Sequence, residues 1–374
     1  MKTLIRGRVH GLKGESVGVL VDGAVIAWIG RDSPPEHSDE QVQLAPGELL
    51  APGFIDLQVN GFGGHDAAEG VDAIGAISDA LPTTGVTAFL PTLISAPVKF
   101  GAEFVALVAA AESNGARVLG AHVEGPFINP SFRGARDPSF LSEPTPEQVE
   151  AIAMAKPRLV TLAPELPGAL EAIARLRRRG IVVSAGHSGA DFEQGGRAID
   201  AGIRFGTHIY NAMPQVHHRR PGIALALALD RRVTVGLIAD GLHVHPSVMQ
   251  QLVSVKGTSR IALTTDQTAA AASAPGSFQL SGRRVLSDGM VVRLEDGTLA
   301  GSASTMEDLV RRIAQLPGMN AERAITMASS VPARVLGERR LGRISVGACA
   351  DQVVLDADLR VRLTSVGGRV RFRR

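Results

Sequence analysis

The chain contains a single cysteine, Cys349, among its 374 residues. One cysteine excludes an intrachain disulfide and a cysteine-rich zinc finger. Long apolar runs are also missing, because every apolar stretch falls far below the roughly 18 residues that a membrane-spanning helix needs. The net charge is only +2, which is weak support for binding to nucleic acid. These deficits favour a globular protein with neither nucleic acid nor a membrane as a partner.

The first residues of the chain carry charges at Arg6 and Arg8, where a secretory signal peptide would have an apolar run. We therefore expect a cytoplasmic protein. Its length suits a barrel of about 250 residues with a smaller flanking domain. The 42 glycines are spread along the whole chain, which is typical of many tight turns rather than of one flexible linker.

The middle of the chain repeats a short apolar segment, rich in β-branched residues, roughly every 30 residues, as successive β-α units do. Helical segments are expected between these strands, for example at 147–154 and 170–179, where apolar residues are spaced three or four apart. Ser188 and Asp191 have the Ser-x-x-acid spacing of a helix start. We predict an α/β fold, a (β/α)8 TIM barrel over residues 51–342, with strands at 54–60, 86–93, 117–124, 158–162, 181–187, 203–208, 233–240 and 260–266.

The two ends of the chain have a different pattern. Residues 1–50 and 343–374 carry short alternating runs, and Asp22-Gly23 joins two of them as a hairpin turn would. We predict that both ends form one small β-sandwich domain beside the barrel. Residues 275–301 read as a further hairpin insertion.

Polar residues fall where four of the predicted strands end. Glu124 ends the third strand, His187 the fifth, His208 the sixth and Asp266 the eighth. Functional residues of a (β/α)8 barrel sit at the carboxyl ends of its strands. One carboxylate and two imidazoles suit one divalent metal ion per chain, with a position left open for water. Zn is the first expectation, although Fe and Mn accept the same ligands.

These residue types are sufficient for amide hydrolysis. The metal would lower the pKa of water and polarise a carbonyl, while Asp266 would take the proton and pass it to the leaving amine. Taken singly, a buried histidine is more often a packed core residue, and a strand-end aspartate more often caps a helix. Four such residues at four strand ends favour a site. His122 lies two residues deeper than Glu124 and is expected in the interior.

The chain resembles the N-acetylglucosamine-6-phosphate deacetylase family of the amidohydrolase superfamily. The resemblance covers nearly the whole chain and rests on residues 52–56, 122–127, 185–188, 207–214, 240–244 and 299–306. It implies that Glu124, His187 and His208 bind the metal and that Asp266 is the general acid/base. It also implies that the sugar phosphate is held by Asn211, the Ala212 backbone, Arg219 and His243. In this family the counterpart of His243 reaches across a dimer interface, which implies a homodimer.

Three positions depart from common patterns. Gln58-Val59-Asn60 replaces the His-x-His that holds a second metal in many amidohydrolases, as in the single-metal branch of the family. Gly134-Ala135-Arg136 replaces a Gly-Ala-His or Gly-Thr-His run whose histidine binds the acetyl carbonyl. Gln267 replaces the usual alanine after the catalytic aspartate, and both Arg136 and Gln267 are expected near the substrate. We expect Arg136 to turn inward and donate to the carbonyl oxygen or to the phosphate.

Three functions fit these observations. The first is deacetylation of N-acetylglucosamine 6-phosphate, and the second is deacetylation of another N-acyl amino-sugar phosphate, such as N-acetylgalactosamine 6-phosphate. The third is a catalytically silent sugar-phosphate-binding protein, which Arg136 favours. The set of Glu124, His187, His208 and Asp266 argues against the third, because a mere binder does not need all four.

Overall fold

A computed structural model describes residues 1–94 and 96–374. Its centre is a barrel of eight parallel strands, each hydrogen-bonded to the next in chain order. This confirms the predicted (β/α)8 class. The barrel strands are β1 (Phe54–Val59), β2 (Val86–Ile94), β3 (Arg117–Val118 and His122–Glu124), β4 (Leu159–Leu162), β5 (Val182–Ala185), β6 (Phe205–Gly206), β7 (Thr234–Leu237) and β8 (Ile261–Leu263).

Both faces of the barrel strands are buried, which explains why the strands read as continuous apolar runs. In β1, Phe54 joins the cluster packed against the helices, whereas Ile55 and Leu57 join a second cluster that includes Leu159 and Phe205. All six residues of β1 and all nine of β2 are buried. Burial of this extent fixes the register that brings the strand ends to one rim.

Several of the helices that cover the barrel begin at capping boxes. Thr145 and Asp191 each form a capping box with the glutamine three residues later, satisfying backbone N–H groups at the helix start. The expectation of a start at Ser188 is wrong, because its hydroxyl donates to Glu165 instead. The helices are α1 (Val71–Ala80), α2 (Val98–Ala110), α3 (Pro146–Ala155), α4 (Ala169–Arg178), α5 (Phe192–Ala201), α6 (Gly222–Leu229), α7 (Pro246–Lys256), α8 (Met306–Ala314), α9 (Ala321–Ala328) and α10 (Ser330–Val335).

The barrel closes between β8 and β1 largely through a side chain. Only a short bridge joins the backbones there, with Asn60 N donating to Gln267 O at 2.9 Å. The Asp56 carboxylate in β1 accepts from Thr265 Oγ1 at 2.6 Å and from Thr264 Oγ1 at 3.2 Å. Asp56 is fully buried and therefore replaces backbone pairing at the seam.

Replacing Asp56 with alanine is expected to lower the free energy of unfolding by about 3 kcal/mol, because several buried donors lose their acceptor. Burial raises the pKa of Asp56 to about 6, so the folded state favours the protonated form. The stability that Asp56 contributes is therefore lost as the pH rises from about 4 to about 6. Asp56→Ala should accordingly lower the free energy of unfolding more at pH 4 than at pH 7.

Denaturant unfolding of Asp56→Ala and of the parent at both pH values checks this expectation. Asp79→Ala, which removes an exposed carboxylate from α1, is the matched control and should change stability by less than about 0.5 kcal/mol. Equal costs for the two variants would show that the seam does not depend on Asp56.

The two ends of the chain meet in one mixed sheet system, as predicted. Leu49–Pro52 pairs antiparallel with Gln352–Leu355, and Lys2–Val9 continues the sheet on the other side. Val19, Ile26 and Val354 pack in its interior. The remaining strands are Val17–Asp22, Val25–Gly30, Glu40–Gln43, Val361–Val366 and Arg369–Arg373. The domain boundaries at residues 50 and 343 remain a prediction.

A four-stranded antiparallel insertion lies between β8 and α8, as the turn residues indicated. Its strands are Gly276–Leu280, Arg283–Ser287, Val291–Arg293 and Leu299–Ser302. Three glycines with positive φ, Gly282, Gly289 and Gly297, lie in its three turns. Arg283 Nη1 donates to Ala135 O at 2.7 Å and ties the insertion to the loop after β3. Two-residue strands Gly61–Phe62 and His65–Asp66 form a hairpin after β1.

Among the described helices, none has the length and apolar character needed to cross a membrane.

Candidate active site

Three of the predicted site residues converge at the carboxyl rim of the barrel. Oε1 of Glu124 lies 3.2 Å from His187 Nε2 and 3.0 Å from His208 Nε2, and the two imidazole nitrogens are 2.9 Å apart. All three side chains are buried. The parallel strands β3, β5 and β6 end at the same rim, so their terminal residues meet although they are far apart in sequence.

The backbone directs these side chains through an unusual conformation. His187, His208 and Asp266 each follow the end of a strand with a positive φ of 50°, 32° and 51°. Residues other than glycine rarely adopt this region, and such strain clusters at functional sites. The turn away from the strand direction aims each side chain across the barrel mouth.

Protonation states in the cluster favour a metal ligand set. Burial, together with the charge of Arg136, lowers the pKa of His187 to about 3, so its imidazole is neutral. Phe132 O lies 2.8 Å from His187 Nδ1 and selects the tautomer that leaves the Nε2 lone pair facing the cluster. Burial opposes ionisation of Glu124, but Arg136 and the two histidines hold its pKa well below the usual range.

His208 differs from His187. Burial is the largest single influence and lowers its pKa, but the hydrogen bond to Glu124 and the negative charges of Glu124 and Asp266 together outweigh burial and raise the pKa above the ordinary value. A divalent ion bound here would replace that proton, as metals generally do at histidine ligands.

The cluster fits the metal that its residue types indicate. Its three ligand atoms lie within 4.8 Å of one another, and one carboxylate with two imidazoles is a donor set suited to zinc-type ions. A buried carboxylate and two buried imidazoles whose ligand atoms face one another are hard to explain by packing alone. Zn, Fe and Mn all accept these ligands.

Asp266 lines the same cavity as His187 and His208. Its Oδ1 accepts a hydrogen bond from Asn60 Nδ2 at 2.7 Å, which orients the carboxylate. Burial raises the pKa of Asp266 above its ordinary value. A fixed carboxylate with a raised pKa is a suitable group to take and return a proton near neutral pH.

Both amide residues after β1 are engaged as donors. Gln58 Nε2 donates to Glu124 Oε2 at 3.1 Å, while Asn60 Nδ2 donates to Asp266. Amides that orient carboxylates in this way are poorly placed to hold a second metal. His122 is fully buried beneath them, between Leu57 O and Thr161 Oγ1, which agrees with its expected interior position.

Arg136 is turned inward, as predicted, but its principal partner was not foreseen. Its side chain is 6% exposed, and its Nη2 forms an ion pair with Glu124 Oε2. Nη1 lies 3.2 Å from His187 Nδ1 and 3.3 Å from Arg133 O. Donation from Arg136 to a substrate carbonyl or phosphate stays a prediction.

The cavity over the cluster has a volume of about 400 Å³, within the range of small-molecule sites. Asn211, Ala212 and His243 line it, as the resemblance implied. The structure places His243 on the wall of the cavity of its own chain, and its reach to a partner's site stays a prediction. Asp240 Oδ2 accepts from His243 Nδ1 at 2.7 Å and fixes the ring.

Two neighbouring residues lie outside the cavity lining. Arg219 is exposed and does not line the cavity of its own chain among the described residues, and its contact with the phosphate stays a prediction. Gln267 was expected near the substrate, yet it is fully buried behind the cavity and its carbonyl bridges to β1. Gln267 therefore belongs to the barrel seam rather than to the substrate pocket.

Two cavity residues were not assigned substrate roles from the sequence. Asn60 was identified only as a replacement for a metal ligand, and its bond to Asp266 became visible with the fold. Arg293 reaches the cavity from the insertion, where its Nη1 donates to Gly297 O at 2.8 Å. Its place shortly before the 299–306 motif was the one sequence signal available.

A parallel (β/α)8 barrel with a carboxylate and two imidazoles at its carboxyl rim, and an aspartate beside them, defines a metal-dependent hydrolase. Comparison with known proteins agrees with this class. The model of the Amidohydrolase family matches residues 49–371. N-acetylgalactosamine-6-phosphate deacetylase of Escherichia coli O157:H7 is 37% identical to this chain, and the alignment covers 86% of this chain and 88% of that protein.

N-acetylglucosamine-6-phosphate deacetylase of Bos taurus is 36% identical to this chain, and the alignment covers 94% of this chain and 93% of that protein. The structure of a mutant N-acetyl-D-glucosamine-6-phosphate deacetylase from Mycobacterium smegmatis, in complex with N-acetyl-D-glucosamine-6-phosphate, aligns with a TM-score of 0.91. It is 31% identical and covers 99% of both chains. The chain therefore belongs to the amidohydrolase family, in its N-acetylglucosamine-6-phosphate deacetylase branch, and is a hydrolase that acts on an amide bond.

Proposed function

We propose that this enzyme removes the acetyl group from N-acetylglucosamine 6-phosphate, yielding glucosamine 6-phosphate and acetate. The observation that carries the proposal is the convergence of Glu124, His187 and His208 with Asp266 on one cavity. The family relationship supports the substrate class. We place the reaction in the cytoplasm, in amino-sugar catabolism or recycling.

Glu124, His187 and His208 would hold one divalent ion per chain, with Zn proposed first. When bound, such an ion polarises a carbonyl oxygen and makes water a stronger nucleophile near neutral pH. Asp266 takes the proton of the attacking water at its carboxylate and returns it to the amine that leaves. Asn60 keeps the Asp266 carboxylate in one orientation during both transfers.

The substrate's sugar phosphate would lie along the wall formed by Asn211, Ala212 and His243. A protonated His243 can donate to Asp240 from Nδ1 and to a phosphate oxygen from Nε2. N-acetylgalactosamine 6-phosphate is the second candidate, because a deacetylase of that name is among the similar proteins. The two sugars differ only at one hydroxyl, so the same anchoring residues serve both.

We further propose a homodimer in which the partner supplies Arg219. An apolar groove of about 590 Å³ runs beside the cavity, and His243 lines both. Val216 and Val255 line this groove and are 49% and 48% exposed. A second copy seated there would cover them and bring the exposed 214–220 loop toward the neighbouring cavity.

The test of the function is acetate release from N-acetylglucosamine 6-phosphate, N-acetylgalactosamine 6-phosphate and unphosphorylated N-acetylglucosamine, measured beside metal content. We expect the highest kcat/KM with the first. A preference for the second would transfer the proposal to the galactosamine isomer. No acetate from either phosphate, with metal bound, would contradict both.

Replacing Arg219 with alanine is expected to lower kcat/KM for the 6-phosphate by about 10–150-fold, because a charge-assisted contact contributes roughly 1.5–3 kcal/mol. The free N-acetyl sugar, which has no phosphate, should lose almost nothing. Arg220→Ala removes the neighbouring exposed cation and is the matched control. Equal losses on both substrates would make Arg219 structural.

Arg219 and His243 together test whether each cavity is completed by the partner chain. Arg219→Ala and His243→Ala chains, each impaired on the phosphorylated substrate, should recover activity when mixed. One cavity in each mixed dimer then has its own His243 and the partner's intact Arg219. No recovery in confirmed mixed dimers would remove the shared site.

A further inference from the structure

The buried arginine at the metal cluster has a role that the family's histidine at this position could not fill. We propose that Arg136 is a positioning residue for the metal ligands, which holds Glu124 by one oxygen and weakens metal binding through its charge. This inference rests on the proposed ligand set. It concerns the affinity for the ion rather than contact with the substrate.

The two oxygens of Glu124 face different partners. Oε1 is directed at His187 Nε2 and His208 Nε2, at 3.2 and 3.0 Å. Oε2 is directed away, toward Arg136 Nη2 and toward Gln58 Nε2 at 3.1 Å. Donors on Oε2 keep that oxygen off the metal side, so Glu124 presents a single oxygen to an ion.

Charge distinguishes Arg136 from a histidine at the same place. A guanidinium is always protonated, and Arg136 is 6% exposed, so little water screens its charge. Glu124 supplies the negative charge of the ligand set, and Arg136 cancels it. A cation that approaches Oε1 is therefore repelled by the guanidinium at Oε2. Loss of that charge should strengthen metal binding.

Contacts around Arg136 fix the position of its guanidinium. Arg133 O accepts from its Nη1 at 3.3 Å, and Ala135 O accepts from Arg283, which ties this loop to the insertion. His187 donates its Nδ1 proton to Phe132 O at 2.8 Å, so Arg136, a donor only, does not disturb the metal-competent tautomer. The guanidinium thus abuts two ligands while leaving their metal-side atoms in place.

The experiment measures the dissociation constant of Zn²⁺ by competition with a chromophoric chelator, on full-length protein purified with metal. Arg136→Gln, which is neutral and can still donate, should bind Zn²⁺ at least about tenfold more tightly, equivalent to about 1.4 kcal/mol. Arg136→Lys keeps the charge and should stay within about threefold of the parent. Arg133→Gln removes an exposed cation from the same loop and is the control, expected to change nothing.

Unchanged or weaker binding in Arg136→Gln would overturn the inference, as would equal tightening in Arg136→Gln and Arg136→Lys. A parent protein that binds no metal would instead refute the proposed ligand set, so the two failures are distinguishable.

Thermal melting gives a second readout that is independent of activity. Without metal, Arg136→Gln leaves the buried carboxylate of Glu124 without its guanidinium partner, so the Tm of the variant should fall below that of the parent. Metal should then raise the Tm of Arg136→Gln more than it raises that of the parent, whereas Arg136→Lys should behave like the parent. Arg136→Ala, which carries no charge, replaces Arg136→Gln if the latter does not fold. An equal metal-induced rise in the neutral variant and the parent would contradict the role of the charge.

Discussion

Replacing Asp266 with asparagine is expected to lower kcat by about 10²–10⁴-fold, the usual contribution of a general acid–base group. Asparagine keeps the shape of the side chain but cannot take a proton from water. The metal should stay bound, because Asp266 is not among the three clustered ligands. Steady-state acetate release and metal analysis on the same preparation check both parts.

Asp79→Asn removes an exposed carboxylate and is the control. The pH profile gives a further check, because Asp266 must be ionised to accept a proton and burial raises its pKa. Activity of the parent should therefore fall on the acid side at a pH above the ordinary aspartate pKa of about 4. A variant with turnover within a few-fold of the parent would show that another group moves the proton.

Replacing Glu124 with glutamine is expected to abolish turnover and to weaken metal binding by more than about 100-fold, exceeding the loss typical of residues that only support a ligand. The parent should hold one divalent ion per chain. Chelation should remove activity, and addition of Zn²⁺, Fe²⁺ or Mn²⁺ should restore it to different extents. Elemental analysis and titration of activity with metal measure these effects.

Glu143→Gln, at an exposed position, is the matched control and should bind metal normally. Two equivalents per chain under metal-replete conditions would contradict a single site. Gln58 and Asn60, which donate to Glu124 and Asp266, would then have to turn their amides toward the second ion.

The barrel could be predicted from the sequence because burial on both faces leaves a simple apolar pattern. Each predicted strand is present, but most are shorter at their carboxyl ends. The sixth, expected over 203–208, is only Phe205–Gly206. Its last residues leave the ladder and turn toward the cavity, with His208 at a φ of 32°. A strand pattern cannot show where hydrogen bonding stops, because the residues past that point, Thr207 and His208, are still buried.

The metal cluster could be predicted because strand ends of a parallel barrel meet at one rim, whatever their separation in sequence. The contact between Arg136 and Glu124 could not be predicted, because nothing in residues 134–136 shows whether this loop folds over Glu124 or over the substrate. Arg219 illustrates the other limit. Its loop is exposed in one chain, and a contact made between chains is not encoded in the pattern of either.

The seam between β1 and β8 also sets the order in which the molecule can be completed during its synthesis. Asp56 and Thr264 are 208 residues apart. Leu49–Pro52 can pair with Gln352–Leu355 only after that later segment has been synthesised. At the usual pace of translation, the ribosome needs roughly 10 to 40 s to add 208 residues. Throughout that interval one edge of β1 has no neighbour and is open to pairing with other chains. The nascent protein is therefore most in need of a chaperone before β8 emerges.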